Sequence, residues 1–350
     1  MVDGTLDNII GGPEGRIEMH INSWRFLRSA VLGPDDLQFD SPNVRGRGWR
    51  LVGLVLLAAC FPLTASASEP PKATSDSDYA ESISQWRAER EEELKGPDGW
   101  LNLAGLYWLE PGATRMGSAP DNDIVLSDLP GAPYLGAFVW ENGIVEFRAD
   151  PAAEVVSNGE CVTQLRLIHD EEGEPTALTH GSLSWHAIGR LDRIGVRMRD
   201  LNHPAVRAFP GIPAYPTDPA WRVEARFEPY AQPEERVLST VVEGLGWKPT
   251  APGTLEFEIG GEPLSLEAYA AGPGFLLIFA DLTTGKTTYP AGRYLYAFAP
   301  RRAGGSVMLD FNKAINPPCA FTDFATCPLP QRRNRLPIAI EAGEKYARSK

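Results

Sequence analysis

The stretch TLEFEIGGEPLSLEAY (residues 254–269) carries the clearest fold signal in the chain. Its apolar residues alternate with polar ones on both sides of Gly260-Gly261. Alternation with a period of two puts one face of each strand on a core, so the stretch predicts a β-hairpin that turns at the two glycines. The next apolar run, GFLLIFADL (274–282), is continuous and predicts a strand buried deep in the core.

Three further stretches extend the same pattern. AFVWENGIVEFRA (137–149) predicts a hairpin, because Asn142-Gly143 suits a turn in which both residues have positive φ. LSWHAIGRLDRIGVRMRD (183–200) predicts two short strands, and RYLYAFAPRRAGGSVMLDF (293–311) predicts a hairpin that turns at 301–305. These patterns indicate a mainly β fold with antiparallel sheets, sandwich-like or barrel-like.

One helix is predicted before the strands. Tyr79, Ile83, Trp86, Arg90 and Leu94 recur at spacings of three and four, and Gly96-Pro97 follows them. This spacing is typical of an amphipathic helix whose opposite face is charged, and a Gly-Pro pair ends a helix.

Composition restricts the function classes. The chain has 350 residues, a net charge of −13, 34 glycines and 31 prolines. An acidic protein is repelled by nucleic acid and by anionic membranes, so neither is expected as a partner. No CxxC or HExxH motif is present and the five histidines are scattered, so no metal or cofactor is predicted.

Residues 44–67 have the parts of a secretory signal peptide in the correct order. A basic segment around Arg45 precedes the apolar run LVGLVLL, Pro62 interrupts it, and Ala65-Ser66-Ala67 is a small-x-small cleavage site. The apolar run is too short to span a bilayer, so no transmembrane span is expected in the mature form. The resulting division is an upstream extension from a misplaced start codon (1–43), a signal peptide (44–67), a polar linker (68–77) and a single mainly β domain (78–350).

The leader also permits lipid attachment. Leu57-Ala58-Ala59-Cys60 fits a bacterial lipobox, which would make Cys60 a lipidated N-terminus. Cleavage after Ala67 and lipidation of Cys60 both place the mature domain outside the cytoplasm, in the periplasm or cell envelope. Because that compartment is oxidising, Cys319 and Cys327 are predicted to form a disulfide.

Polar residues gather near the end of the chain. If 292–299 and 306–311 pair as a hairpin, Arg293 lies beside Asp310. Four of these residues are predicted to bind a ligand. Arg293 would hold an anionic group, Asn312 and Asn316 would supply amide hydrogen bonds, and Tyr289 would stack or donate a hydrogen bond. The alternative is structural, because Asn and Asp also satisfy backbone groups in turns.

The last part of the chain, with earlier stretches, resembles a known family, the domain of unknown function 1684. The matching stretches are GWLNLAGLYWLEPG (99–112), GVRMRD (195–200), AFPGIPAYP (208–216), DLTTGKTTYPAGRYL (281–295), DFNKAINPPCAFTDFATCPLP (310–330) and NRLPIAIEAGE (334–344). The resemblance implies a domain and no reaction, since the family has no established activity.

Three functions remain open. The first is an exported β protein with a pocket for a small polar ligand. The second is a hydrolase in which Asp310 acts as general base with Arg293 and His203, since Asp200 near His203 could orient its imidazole. The third is a purely structural envelope protein. Whether the chain is an enzyme is left undecided by the sequence.

Overall fold

The computed structural model describes residues 75–300, 302 and 304–347. The predicted extension, the signal peptide with Cys60, and residues 68–74 of the predicted linker lie outside these residues. The described chain is mainly β, as predicted. It has two α-helices, α1 (Asp76–Lys95) and α2 (Pro204–Ala208). Neither helix is both long and apolar enough to cross a membrane.

The first eleven strands form two sheets, in which neighbouring strands are antiparallel except for one parallel pair. β1, β11, β10, β9, β6 and β7 are neighbours in a six-stranded sheet, and β3, β2, β4, β5 and β8 form a five-stranded sheet. The bounds are β1 (Leu103–Trp108), β2 (Gly112–Gly117), β3 (Ile124–Val125), β4 (Gly136–Glu141), β5 (Ile144–Ala149), β6 (Val156–Ser157), β7 (Glu160–Cys161), β8 (Gln164–Leu167), β9 (Leu178–His180), β10 (Leu183–Arg190) and β11 (Arg193–Asp200).

The remaining strands build a nearly closed, barrel-like sheet in the order β18, β17, β16, β15, β12, β19, with a separate β13–β14 pair. The bounds are β12 (Arg222–Glu235), β13 (Leu238–Ser239), β14 (Gly246–Trp247), β15 (Thr250–Ile259), β16 (Glu262–Ala271), β17 (Gly274–Phe279), β18 (Arg293–Phe298) and β19 (Ser306–Asp310). Four short 3-10 helices lie at Pro219–Trp221, Phe311–Lys313, Pro318–Ala320 and Arg332–Asn334.

Two hairpins turn at the residues that the sequence predicted. β15 and β16 pair across Gly260 and Gly261, which have φ of 62° and 83°. β4 and β5 pair across Asn142 and Gly143, with φ of 52° and 77°. Positive φ is the conformation that asparagine and glycine tolerate best, so these residues set the register of both hairpins.

The predicted hairpin 293–311 is wrong. β19 pairs with β12, with Arg222 opposite Asp310, whereas β18 pairs with β17. The connection between β18 and β19 therefore links the two edges of one curled sheet, and the two strands lie beside each other without a ladder between them. Closing a sheet in this way leaves few unpaired edge groups exposed.

Burial on both faces explains the continuous apolar run of β17. Phe275, Leu277 and Phe279 point into the barrel core, where they pack with residues such as Leu255 and Phe311. Leu276 and Ile278 point outward and pack in a second cluster with Trp86 of α1. A third core, built around Phe138, Phe147 and Trp185, lies within the N-terminal sheets.

Helix α1 packs against the outside of the barrel. Its buried residues are Tyr79, Ile83, Trp86, Arg90 and Leu94, the set with helical spacing in the sequence. Ser75 caps the N-terminus, since its side chain accepts from the backbone N–H of Asp78 at 3.1 Å and Asp78 accepts from the backbone of Ser75. This reciprocal arrangement satisfies two amide donors that the helix cannot bond itself.

Candidate functional site

Arg293 pairs with a different residue from the one predicted. Its Nη2 donates to Asp281 Oδ2 at 2.7 Å and to the carbonyl of Ile340 at 2.8 Å, and its Nη1 donates to the carbonyl of Ala342. Both charged side chains are fully buried. The predicted Arg293–Asp310 pair is wrong, because β19 joins the far edge of the sheet.

Asp310 and Asn312 join α1 to the barrel. Asp310 Oδ1 accepts from the Tyr79 hydroxyl at 2.7 Å. Asn312 Nδ2 donates to Tyr79 Oη and to the carbonyl of Asp218, both at 2.9 Å, and its Oδ1 accepts from the Asp218 amide at 3.1 Å. A general base needs access to water or substrate. The observed bonds instead fasten three segments, and the catalytic role of Asp310 stays a prediction.

Asn316 and Tyr289 likewise bond to backbone. Asn316 Nδ2 donates to the carbonyl of Lys345 at 3.0 Å, and the Tyr289 hydroxyl donates to the carbonyl of Cys319 at 2.7 Å. The long C-terminal segment thus bonds its own irregular backbone through polar side chains, as buried loops must. Ligand binding by these residues also stays a prediction.

The predicted disulfide is absent. Cys319 and Cys327 are free thiols, and Cys327 Sγ accepts the backbone N–H of Cys319 at 3.1 Å. The sulfur thus acts as a hydrogen-bond acceptor that fixes the turn around the Pro318–Ala320 helix.

His203 caps α2, where its Nδ1 accepts the amide of Ala205 at 3.3 Å. With Asp200 it lines a cavity of about 360 Å³ next to Tyr107 and Phe324. Asp200 accepts from the Ser182 hydroxyl at 2.6 Å. Among the described residues, no contact joins His203 to Arg293 or Asp310, so the structure does not bring the predicted catalytic set together.

A larger cavity, of about 520 Å³, lies where α1, strands β10 and β11, and the outer face of the barrel meet. We call it the central cavity. The C-terminal segment reaches it through Pro318 and residues 325–328, including Cys327. Its volume falls within the range of about 300–1,000 Å³ that is usual for small-molecule pockets.

One wall of the central cavity is basic. Arg197 pairs with His186 across the β10–β11 ladder, and Arg199 pairs with Ser184. All four line the cavity, whereas the intervening Trp185 and Met198 lie in the core of the N-terminal sheets. Strand alternation therefore directs one face of GVRMRD to the core and presents two guanidinium groups to the cavity.

Arg197 is the least satisfied of these groups. It is 7% exposed, and its Nε has no hydrogen-bond partner among the described residues. Its guanidinium stacks over Trp100 at 5.3 Å from the ring centre. No described carboxylate forms an ion pair with it. A buried charge without an ion pair is costly unless a ligand neutralises it.

Of the groups beside Arg197 on this wall, Arg199 is charged and His186 is neutral. Burial, together with the charge of Arg197, lowers the pKa of Arg199 to about 10, so Arg199 is protonated at neutral pH. Arg199 Nη1 donates to the carbonyl of Gly99 at 2.7 Å and to Asn102 Oδ1 at 3.3 Å. Burial and the two arginines lower the pKa of His186 to about 3, so its imidazole is neutral and adds no charge.

Two other arginines at the cavity are matched by carboxylates. Arg190 Nη1 lies 3.1 Å from both oxygens of Asp170, and Arg90 Nε lies 3.4 Å from Glu344 Oε1. Three further carboxylates, those of Glu93, Asp98 and Glu174, also line the cavity. The charge of Asp170 favours the protonated form of Arg197, and that of Asp98 favours the protonated form of Arg199. Arg197 and Arg199 differ from Arg90 and Arg190 in forming no direct ion pair among the described residues.

The sequence analysis missed this site. The available signal was the alternation R-M-R in GVRMRD, which places two arginines on the face opposite the core. The alternation does not show what covers that face, and only the packing of the barrel against β10 and β11 encloses it. Within the described residues, no group of three or more His, Cys, Asp or Glu side chains could hold a metal ion.

Comparisons with known proteins identify the C-terminal part. No curated protein matches the chain. The solution NMR structure of an uncharacterized protein from Haloarcula marismortui is similar at 34% sequence identity, covering 41% of this chain and 80% of that chain, with a TM-score of 0.35. A family model described as "Protein of unknown function (DUF1684)" matches residues 207–345, which include the whole barrel-like sheet. The stretches 99–112 and 195–200 lie outside this match. This match confirms the predicted DUF1684 family for residues 207–345.

Proposed function

We propose that the protein binds a small anion in the central cavity, with Arg197 and Arg199 as its charged contacts. The observation that carries the proposal is Arg197, a buried guanidinium that lines the cavity and has no ion pair among the described residues. An anion between the two arginines would accept several charge-assisted hydrogen bonds and relieve the repulsion between them.

The proposal moves the predicted ligand pocket away from Arg293. Arg293 already donates to Asp281 and to two carbonyl groups, whereas Arg197 retains donors for a ligand. Anion binding is favoured over the hydrolase alternative, because His186, which pairs with Arg197 across the ladder, is a weak base at a pKa of about 3.

Replacing Arg197 with methionine should weaken anion binding by about 10- to 100-fold, the value of one charge-assisted hydrogen bond. Isothermal titration calorimetry with inorganic phosphate and with acetate measures this loss. Methionine keeps the unbranched, apolar part of the side chain, so packing against Trp100 is largely retained.

Arg193→Met is the matched control. Arg193 lies on the same strand, stacks over Trp108 at 4.2 Å and does not line the central cavity. Its replacement should leave affinity unchanged. Equal binding by wild type and Arg197→Met, or no binding of either anion to wild type, contradicts the proposal and favours a purely structural role.

We also propose that the chain is exported. The support is the order of basic segment, apolar run and small-residue site in residues 44–67. Expression of the full chain in a bacterium, followed by fractionation and intact mass measurement, should give a periplasmic protein that starts at Ser68. A mass that includes a diacylglyceryl group on Cys60 would select the lipidated form, and an unprocessed cytoplasmic chain would contradict export.

A further inference from the structure

Part of the wall of the central cavity is apolar. It comes from the outer face of the barrel, through Leu276 on β17 and Tyr294 and Tyr296 on β18, and from Ile315 and Ala325 of the C-terminal segment. Leu276, Tyr294, Ile315 and Ala325 belong to the same buried cluster as Trp86 of α1. This wall is therefore part of a built core and not a chance exposure.

Aromatic rings extend the apolar surface toward the arginines. Trp100 lies under Arg197, and Trp247 of β14 lines the cavity and packs against the same cluster. The Tyr294 hydroxyl is occupied, since it donates to the carbonyl of Pro328 at 2.9 Å. It therefore presents its ring and not a free polar group.

A hydrated inorganic anion complements the two arginines of the cavity but not its apolar residues. Phosphate or sulfate would satisfy the two arginines but leave water against the apolar wall, where water has few hydrogen-bond partners. A ligand with both an anionic group and a hydrocarbon body satisfies both walls at once, as small-molecule pockets usually require.

We infer that the natural ligand is an amphiphilic organic anion, whose carboxylate or phosphate group contacts Arg197 and Arg199 and whose aliphatic or aromatic body lies against Leu276, Tyr294 and Ile315. This inference rests on the proposed anion binding and adds the chemical class of the ligand.

The test is a chain-length series measured by calorimetry on the mature wild-type protein: acetate, butyrate, hexanoate and octanoate. Affinity should rise by about fourfold for each added methylene that is buried, until the cavity is filled. Octanol and octylammonium, which have the same body without the anionic group, should bind at least tenfold more weakly than octanoate. Octyl phosphate distinguishes the two anionic groups.

Ala325→Leu locates the body of the ligand. The larger side chain occupies part of the apolar wall, so octanoate should bind more weakly while acetate binds as it does to wild type. Circular dichroism checks that the variant is folded. The chain-length series on the wild-type protein does not depend on this variant.

Different results would contradict the proposed anion binding and the inferred hydrocarbon body of the ligand. If acetate and octanoate bind equally well and both depend on Arg197, the protein binds small anions and the inference about the hydrocarbon body is overturned. If octanol binds as well as octanoate and Arg197→Met changes neither, the site is purely apolar and both proposals are overturned.

Discussion

Replacing Arg293 with methionine should lower the free energy of unfolding by about 3–5 kcal/mol, the usual cost of breaking a buried ion pair from one side. The Asp281 side chain would be left fully buried without the guanidinium 2.7 Å away. The carbonyl groups of Ile340 and Ala342 would lose their side-chain donor as well. The effect is large because neither water nor another described cation reaches the carboxylate.

Urea denaturation of the protein measures this loss, and Arg226→Met provides the control. Arg226 lies on β12 of the same barrel, but it is exposed and pairs with Glu228 at 2.8 Å and Glu256 at 3.2 Å. Surface pairs of this kind contribute about 0–1 kcal/mol. A similar small loss for Arg293→Met would show that Arg293 is not part of the scaffold and would restore it as a ligand-binding candidate.

Acid should destabilise the protein through His186. Burial, with Arg197 and Arg199 nearby, lowers the pKa of His186 from 6.5 to about 3. The unfolded chain takes up a proton near pH 6.5, whereas the folded chain takes it up only near pH 3. Between these values the unfolded state binds more protons, so stability falls as the pH falls.

The expected loss from His186 is about 2 kcal/mol between pH 7.5 and pH 5, because each unit of pH in the window costs up to about 1.4 kcal/mol. Urea denaturation at the two pH values should show this loss in wild type and a correspondingly smaller one in His186→Gln. His180→Gln, on β9 outside the cavity, should keep the wild-type loss. An undiminished loss in His186→Gln would assign the acid sensitivity to other groups.

Much of the fold was predictable because strand alternation and turn residues act locally. The pattern around Gly260-Gly261 and Asn142-Gly143 specified two hairpins, and the run at 274–282 specified a strand that is buried on both faces. The helical spacing from Tyr79 to Leu94 coincides with the buried face of α1. Each of these inferences needed only the residues of one or two adjacent elements.

Partner choice across the sheet was not predictable in the same way. The alternation in 293–311 indicated two strands correctly, but it could not indicate that β19 would pair with β12 and close the barrel. Because β19 pairs with β12, Asp310 lies beside Tyr79 and bonds to its hydroxyl, whereas Arg293 bonds to Asp281. The predicted Arg293–Asp310 pair therefore does not form.

By itself, then, the sequence determined a mainly β chain, its main hairpins and the face of each strand that avoids water. The tertiary structure alone decided which polar residues share an enclosed space. Arg197 is 79 positions from Leu276 and 118 from Ile315. The three residues line one cavity because the barrel covers the face of β10 and β11 that the N-terminal core leaves open. Periodicity fixes the direction of a side chain, whereas long-range packing fixes what it meets.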